Sequence, residues 1–275
     1  MTAPALPATP ALERRLSGSP LVVFLDVDGT LSQIAPRPTD AVVSAETRRV
    51  LCDLVSLPAV HVVALSGRSA DDTRRLVNVG KVWIIGNNGI EVAPPDGPPT
   101  VRHDVARYEP IVAAAAKRAE DAARSRAGVL VEDKRWTLSV HYRLADAAIA
   151  ASLHAAIAAI AAELGLRISQ GKKVLELRPP VAIDKGIAAV DLARKLGALR
   201  SGTSMVCAGD DRTDEDAFRA LRAAEADAVT IRVGFHPEDT PDETAAEFSV
   251  RDTDTMREFL EWLARFRRLP ASPAS

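Results

Sequence analysis

Unbroken apolar runs alternate along this chain with stretches whose apolar positions recur at helical spacing. The runs are LVVFLD (21–26), HVVALS (61–66), VWIIG (82–86), SMVCAGD (204–210) and AVTIRVG (228–234). A strand that is apolar on both sides has to be covered on both faces, as in a parallel sheet between two helical layers. The helical spacing predicts the covering helices near 44–57, 69–78, 184–197, 213–223 and 253–267. The expectation is an α/β protein with a Rossmann-like doubly wound parallel sheet, which binds ligands at the carboxyl ends of its strands.

The middle of the chain breaks this pattern. Ala-rich helices are predicted at about 106–126 and 145–164, each followed by a hairpin. GVLVE and WTLSVHYR turn around Asp133, Lys134 and Arg135, and LRISQGKKVLELRP turns near Gly171. These strands alternate: Trp136, Leu138, Val140 and Tyr142 share one face, with Thr137, Ser139, His141 and Arg143 on the other. Leu175 and Leu177 alternate in the same way with Glu176 and Arg178. Two helix-strand-strand units therefore form a small inserted α/β layer pair, one face packed on helices and the polar face turned to ligand or to solvent. The expected organisation is a flexible tail at 1–19, a core at 20–104 and 181–268, an insert at 105–180 and a tail at 269–275.

Composition narrows the partners. The 275 residues are 47% hydrophobic and 26% charged, an ordinary globular balance. A net charge of -2 supplies no basic field for nucleic acid and no cationic face for a membrane. No apolar run approaches the roughly 20 residues of a membrane helix, and MTAPALPATPALERRL lacks the apolar core of a secretory signal. Cys52 and Cys207 lie in apolar runs and are expected as buried free thiols, which suits a reducing cytoplasm.

The strand ends carry the chemistry. LVVFLDVDGTL closes a buried strand with Asp26 and Asp28. Asp-Gly by itself is a turn signal, and Gly29 falls two places too early for a calcium loop. HVVALSGRS delivers Ser66, followed by Gly67; Ser69 with Asp72 reads as a capping box and leaves Ser66 unexplained. GDDRTDEDAF places Asp210, Asp211, Asp214, Glu215 and Asp216 around a helix start. Several of these acids complement the helix dipole, but the adjacent Asp210 and Asp211 repel unless a cation lies between them. Lys185 opens a helix behind Asp184, against the dipole, and so calls for an anion nearby. Two carboxylates, a hydroxyl, a lysine and a further acidic pair at one sheet edge suit phosphoryl transfer.

At these residues the chain resembles the haloacid dehalogenase-like phosphatases. With VEDK, SVHYR, GKKVLELRP, DKG and GDDRTDEDAF in order, the resemblance sharpens to trehalose-6-phosphate phosphatases and covers about 20 to 265. It implies Asp26 as nucleophile, Asp28 as general acid and base, and Ser66, Gly67 and Lys185 on the phosphate. It also implies Mg2+ held by Asp26, the Asp28 carbonyl and Asp210, with Asp211 and Asp214 in the same metal site. The insert becomes a cap whose Glu132, Lys134, Lys172, Lys173, Glu176 and Arg178 meet the sugar. Trehalose 6-phosphate is the implied substrate, with functional pairing to a trehalose-6-phosphate synthase in the cytoplasm. Relatives that preserve the aspartyl-phosphate carry Thr where this chain has Asp28, so the chain looks built to hydrolyse. NNGIEV departs from the pattern, with Asn88 where many relatives have histidine. Phosphatases of sucrose phosphate, mannosyl-3-phosphoglycerate or glucosylglycerol phosphate, a phosphomutase, and an inactive sugar-phosphate-binding regulatory domain stay open as alternatives.

Overall fold

A computed structural model of the chain describes residues 6, 9–171, 173–225, 227–234 and 244–268. The chain divides into two compact units, Met1–Thr100 with Ile183–Ser275, and Val101–Ala182. In chain order the elements are α1 (Pro10–Leu16), β1 (Leu21–Leu25), α2 (Ala45–Val55), β2 (Val60–Leu65), α3 (Ala70–Val77), β3 (Trp83–Gly86), β4 (Glu91–Ala93) and β5 (Thr100–Val101). The second unit then contributes α4 (Glu109–Ala123), β6 (Leu130–Asp133), β7 (Leu138–His141), α5 (Ala147–Leu164), β8 (Arg167–Gly171) and β9 (Val174–Arg178). The chain returns to the first unit through α6 (Lys185–Lys195), β10 (Ser204–Gly209), α7 (Arg212–Ala224), β11 (Val229–Val233), β12 (Phe248–Val250) and α8 (Thr253–Arg268).

The large sheet runs β12-β11-β10-β1-β2-β3-β4-β5. It is parallel from β12 to β3, and β4 joins antiparallel. The run LVVFL fills the central strand because both of its faces are covered. Leu21, Val23 and Leu25 enter a core with α1, α2 and α8, while Val22 and Phe24 enter a second core with α6 and α7. Burying each such large side chain contributes roughly 1.5–3 kcal/mol. β10 and β2 flank β1 in register, Leu25 pairing with Ala208 and Ala64, so their carboxyl ends line up.

The second unit has a four-stranded antiparallel sheet, β6-β7-β9-β8. Leu138, Val140, Tyr142, Leu175 and Leu177 pack against Leu153, Ile157 and Ile160 of α5 and Val112 and Ala116 of α4. Among the described helices, α5 at 18 residues is long and apolar enough to pass as a membrane span, but that stripe of it lies in this core.

Three expectations change. Residues 10–16, read as tail, form α1, with Thr9 capping it and Leu12 and Leu16 buried. Arg15 ties this helix down through a bidentate pair with Glu247 at 2.7 Å. Cys207 is a buried free thiol, but Cys52 is exposed: Val50, Leu51 and Leu54 take the inward face of α2 and leave position 52 outside it. Thr137 and Ser139, on the polar face of the second sheet, are themselves buried.

Candidate active site

Asp26 follows the last residue of β1 and is buried, its N–H donating to the Ala208 carbonyl at 2.9 Å. Its Oδ1 accepts from Lys185 Nζ at 2.7 Å, whereas Oδ2 is buried with no hydrogen-bond partner among the described residues. Lys185 donates a second bond to Asp214 Oδ1 at 2.8 Å. This resolves the lysine at the start of α6: Asp184 caps the helix, and the ammonium lies between two carboxylates. Burial works against the Lys185 charge, but Asp214 and Asp26 outweigh it and hold its pKa well above the usual value. Burial raises the Asp26 pKa, Lys185 opposes the rise, and Asp214 and Asp210 add to it.

Asp214 is a structural hub. Its Oδ2 accepts from the N–H groups of Asp210 and Asp211 at 2.9 and 3.0 Å, which bends the chain after β10. Burial pushes its carboxyl up to about 7 although Lys185 opposes this. Asp211 turns into α7 as its N-cap, accepting from the N–H groups of Thr213 and Asp214 at 2.7 and 3.2 Å. The reciprocal Asp211–Asp214 capping box explains much of the acidic run.

Carboxylate oxygens of Asp26, Asp210 and Asp214 lie within 4.8 Å of one another, all three buried, and Asp211 is outside that group. The three buried acids gather carboxylate oxygens at one point, and such oxygens are hard donors suited to a divalent cation such as magnesium. Glycines make the approach possible. A Cβ at Gly29, whose φ is +98°, would collide with the Asp210 carboxylate, and one at Gly209 with that of Asp214.

Ser66 stands at the end of β2, buried, with its Oγ accepting from Arg68 N–H at 3.1 Å. The turn after β3 braces this loop. Asn87 and Asn88 N–H groups donate to the carbonyls of Arg68 and Ser66 at 2.6 and 3.0 Å, from consecutive left-handed residues. Asn88, buried, lies against Gly67. Glu91 accepts at 2.8 Å from both Ala70 N–H and Asn87 Nδ2, joining the turn to the start of α3.

Asp28 is gripped by a residue the sequence reading left without a role. Arg68 donates Nε to Oδ2 at 2.6 Å and Nη2 to Oδ1 at 2.8 Å. Ser69 Oγ does accept from Asp72 N–H at 3.2 Å, as a cap requires, but the Asp72 carboxylate binds Arg68 at 2.8 Å. Glu215, one of the five acids around the helix start, is buried and accepts from Thr244 Oγ1, Ala245 N–H and Arg232. Asp216 sits beyond the first turn and pairs with Arg219 at 3.5 Å.

On the second unit's polar face, register aligns Glu132, Ser139, Glu176 and Ser169 in one row across its four strands. Glu132 meets His141 at 2.8 Å, Lys134 meets Glu176 at 3.5 Å, and Arg178 meets Glu176 at 3.7 Å. Lys173 occupies the β8–β9 turn at a φ of +66°. Lys172 lies outside the described residues.

A sequence model of the trehalose-phosphatase family matches residues 24–254. The chain is 38% identical over 269 residues to an uncharacterized glycosyl hydrolase of Mycobacterium tuberculosis, covering 94% of this chain and 19% of that protein. It is 38% identical over 250 residues to the trehalose-phosphate phosphatase of Mycobacterium avium, covering 90% of this chain and 63% of that one. The chain therefore spans about a fifth of the first relative and under two thirds of the second. A crystal structure of a trehalose-6-phosphate phosphatase related protein matches with a TM-score of 0.76 at 26% identity, covering 89% of this chain and 97% of the other.

Proposed function

This chain belongs to the trehalose-phosphatase family, and we propose from that membership and the strand-end cluster that it hydrolyses trehalose 6-phosphate to trehalose and inorganic phosphate. The observation that carries the reading is Asp26 itself: one buried oxygen is held by Lys185 and the other has no partner among the described residues. A buried carboxylate oxygen without a partner is costly unless a ligand completes it.

In this reading Asp26 attacks phosphorus, forming an aspartyl-phosphate as the bond to the sugar oxygen breaks. Asp28 gives its proton to the departing sugar oxygen. It then takes a proton from the water that attacks phosphorus, releasing phosphate and restoring Asp26. Ser66 Oγ and Gly67 N–H donate to the phosphoryl oxygens. Lys185 has three N–H donors and gives two to Asp26 and Asp214, leaving one for the phosphate. Asp26, Asp210 and the Asp28 main-chain carbonyl would hold magnesium, which when bound neutralises phosphoryl oxygen charge. Asp214 shapes the loop and aims Lys185, with both of its oxygens already accepting.

The second unit serves in this reading as a cap that reads the sugar. Its row of acids and neighbouring cations presents acceptors and donors suited to hydroxyls: Glu132, Lys134, Glu176 and Arg178, with Lys172 and Lys173 on the adjoining turn. A trehalose-6-phosphate synthase would supply the substrate. The free cysteines fit a cytoplasmic setting.

Phosphate release across a panel of phosphorylated mono- and disaccharides, with and without magnesium, tests the proposal. Trehalose 6-phosphate with magnesium should be fastest. Comparable rates on glucose 6-phosphate, or a faster rate on sucrose 6-phosphate, would overturn the substrate.

A further inference from the structure

We propose that Arg68 is a positioning residue for Asp28, holding that carboxylate where it exchanges a proton with the leaving group and with water. The inference rests on the phosphatase reading above. Asp28 is 36% exposed at its side chain, and an exposed carboxylate at a strand end would ordinarily sample several rotamers. The forked guanidinium occupies both of its oxygens, at 2.6 and 2.8 Å, and so fixes the plane of the carboxylate.

The fork is fixed in turn. Arg68 Nη1 donates to Asp72 Oδ2 at 2.8 Å, Nη2 donates to the Pro38 carbonyl at 2.9 Å, and the side chain is only 10% exposed. Its backbone belongs to the Ser66 loop, the N–H donating to Ser66 Oγ and the carbonyl accepting from Asn87. One residue thus ties the acid after β1 to the hydroxyl after β2. Asp28, Arg68 and Asp72 form an acid, an orienting cation and an anchor, the logic by which a working group is aligned through a second and a third.

Each carboxylate oxygen has about two acceptor sites, so the grip leaves one site on each oxygen available for a proton. In the first half-reaction the proton leaves Asp28 for the ester oxygen as the phosphorus–oxygen bond breaks. In the second it returns from water as the water oxygen–phosphorus bond forms and the Asp26 oxygen–phosphorus bond breaks. Arg68 stays protonated throughout and transfers nothing. Lysine could not substitute, being a point donor that cannot grip both oxygens in a plane.

The test compares leaving groups in single turnovers. Release of trehalose needs a proton, whereas release of nitrophenolate from p-nitrophenyl phosphate does not. Arg68→Ala should slow trehalose release about 100-fold and the nitrophenolate burst by less than about fivefold, with guanidinium ion restoring part of the trehalose rate. Asp72→Asn should show the same split, smaller. Equal slowing of both esters would overturn the proposal, since a merely structural residue behaves that way. A crystal structure of Arg68→Ala gives a readout that needs no activity: the Asp28 carboxylate should have left its wild-type place. An unmoved carboxylate overturns the Arg68 proposal and leaves the phosphatase reading intact. Wild-type protein that releases no phosphate would overturn that reading instead.

Discussion

In the first unit Lys185 lies between Asp26 and Asp214 at 2.7 and 2.8 Å with 2% of its side chain exposed. On the second unit's polar face Lys134 meets Glu176 at 3.5 Å, and Glu132 and His141 each keep 24% of their side chains exposed. Both regions oppose acids with cations, under different constraints. Stray charge in a low-dielectric setting is expensive, so the pairing of Lys185 with Asp26 and Asp214 fixes the geometry of the buried cluster and leaves Asp26 Oδ2 for a ligand to complete. On the second face water reaches Glu132 and His141, and there water or sugar hydroxyls can replace a partner at small cost. The first arrangement suits bond-making at one point. The second suits recognition of a polar surface.

The strongest way to break this contrast is at its centre. Asp26→Asn keeps the shape of the side chain but not its nucleophilicity, so turnover should fall by at least about a thousandfold, ~4 kcal/mol, while the melting curve persists. A residue of activity above about a hundredth of wild type would contradict covalent catalysis by Asp26.

Lysine removal compares the two regions directly. Lys185→Met leaves Asp26 and Asp214 facing each other without their cation, which should destabilise the fold by about 3 kcal/mol or more. Lys134→Met should destabilise by under about 2 kcal/mol, because its pair with Glu176 at 3.5 Å is longer than those of Lys185. Denaturant titrations of both variants decide, and equal losses would erase the distinction.

The recognition side is sharpened by Glu176→Ala. kcat/KM for trehalose 6-phosphate should fall about 10-fold, ~1.4 kcal/mol, with a clearly smaller fall on p-nitrophenyl phosphate. An equal fall on both substrates would mean that Glu176 supports the fold and does not read the sugar.

The smallest effect lies at a carboxylate outside both regions. Asp252, just before α8, accepts from Thr255 N–H and Oγ1 at 2.8 Å, and these bonds lower its pKa to about 2. A lowered pKa means that the charged form stabilises the fold above the ordinary carboxylate range of about 4. That contribution is lost as pH falls from about 4 through 2. Asp252→Ala should therefore cost about 1 kcal/mol at neutral pH, the scale of a lost helix cap, and the gap from wild type should close in acid. A gap that is unchanged at pH 2 would put the stabilisation elsewhere.

The contrast also explains what could be read from the sequence. The central sheet was legible because strands covered on both faces must be continuously apolar, as LVVFL and SMVCA are. Its short antiparallel edge was not, since Glu91–Ala93 is too brief to show a period. α1 left a faint signal in Thr9 followed by Pro10 and in leucines four apart, obscured by the Pro- and Ala-rich context. Asp26, Asp210 and Lys185 announced themselves through unfavourable local placement, repulsion or an opposed dipole, that only a distant partner relieves. Arg68 gave no such sign. An arginine in SGRS is unremarkable until folding brings Asp28, 40 positions away, against it. Asp211 was ambiguous for the opposite reason, because a cap and a cation site ask for the same residue type at a helix start.

The most direct test of the account is to trap the phosphoryl group. Trehalose 6-phosphate labelled on phosphorus is mixed with the enzyme and magnesium, quenched in acid within one turnover, and the protein is mapped by peptide. The account predicts label on the peptide bearing Asp26 and none in Asp26→Asn. Phosphate released at full rate with no label at Asp26 would contradict it.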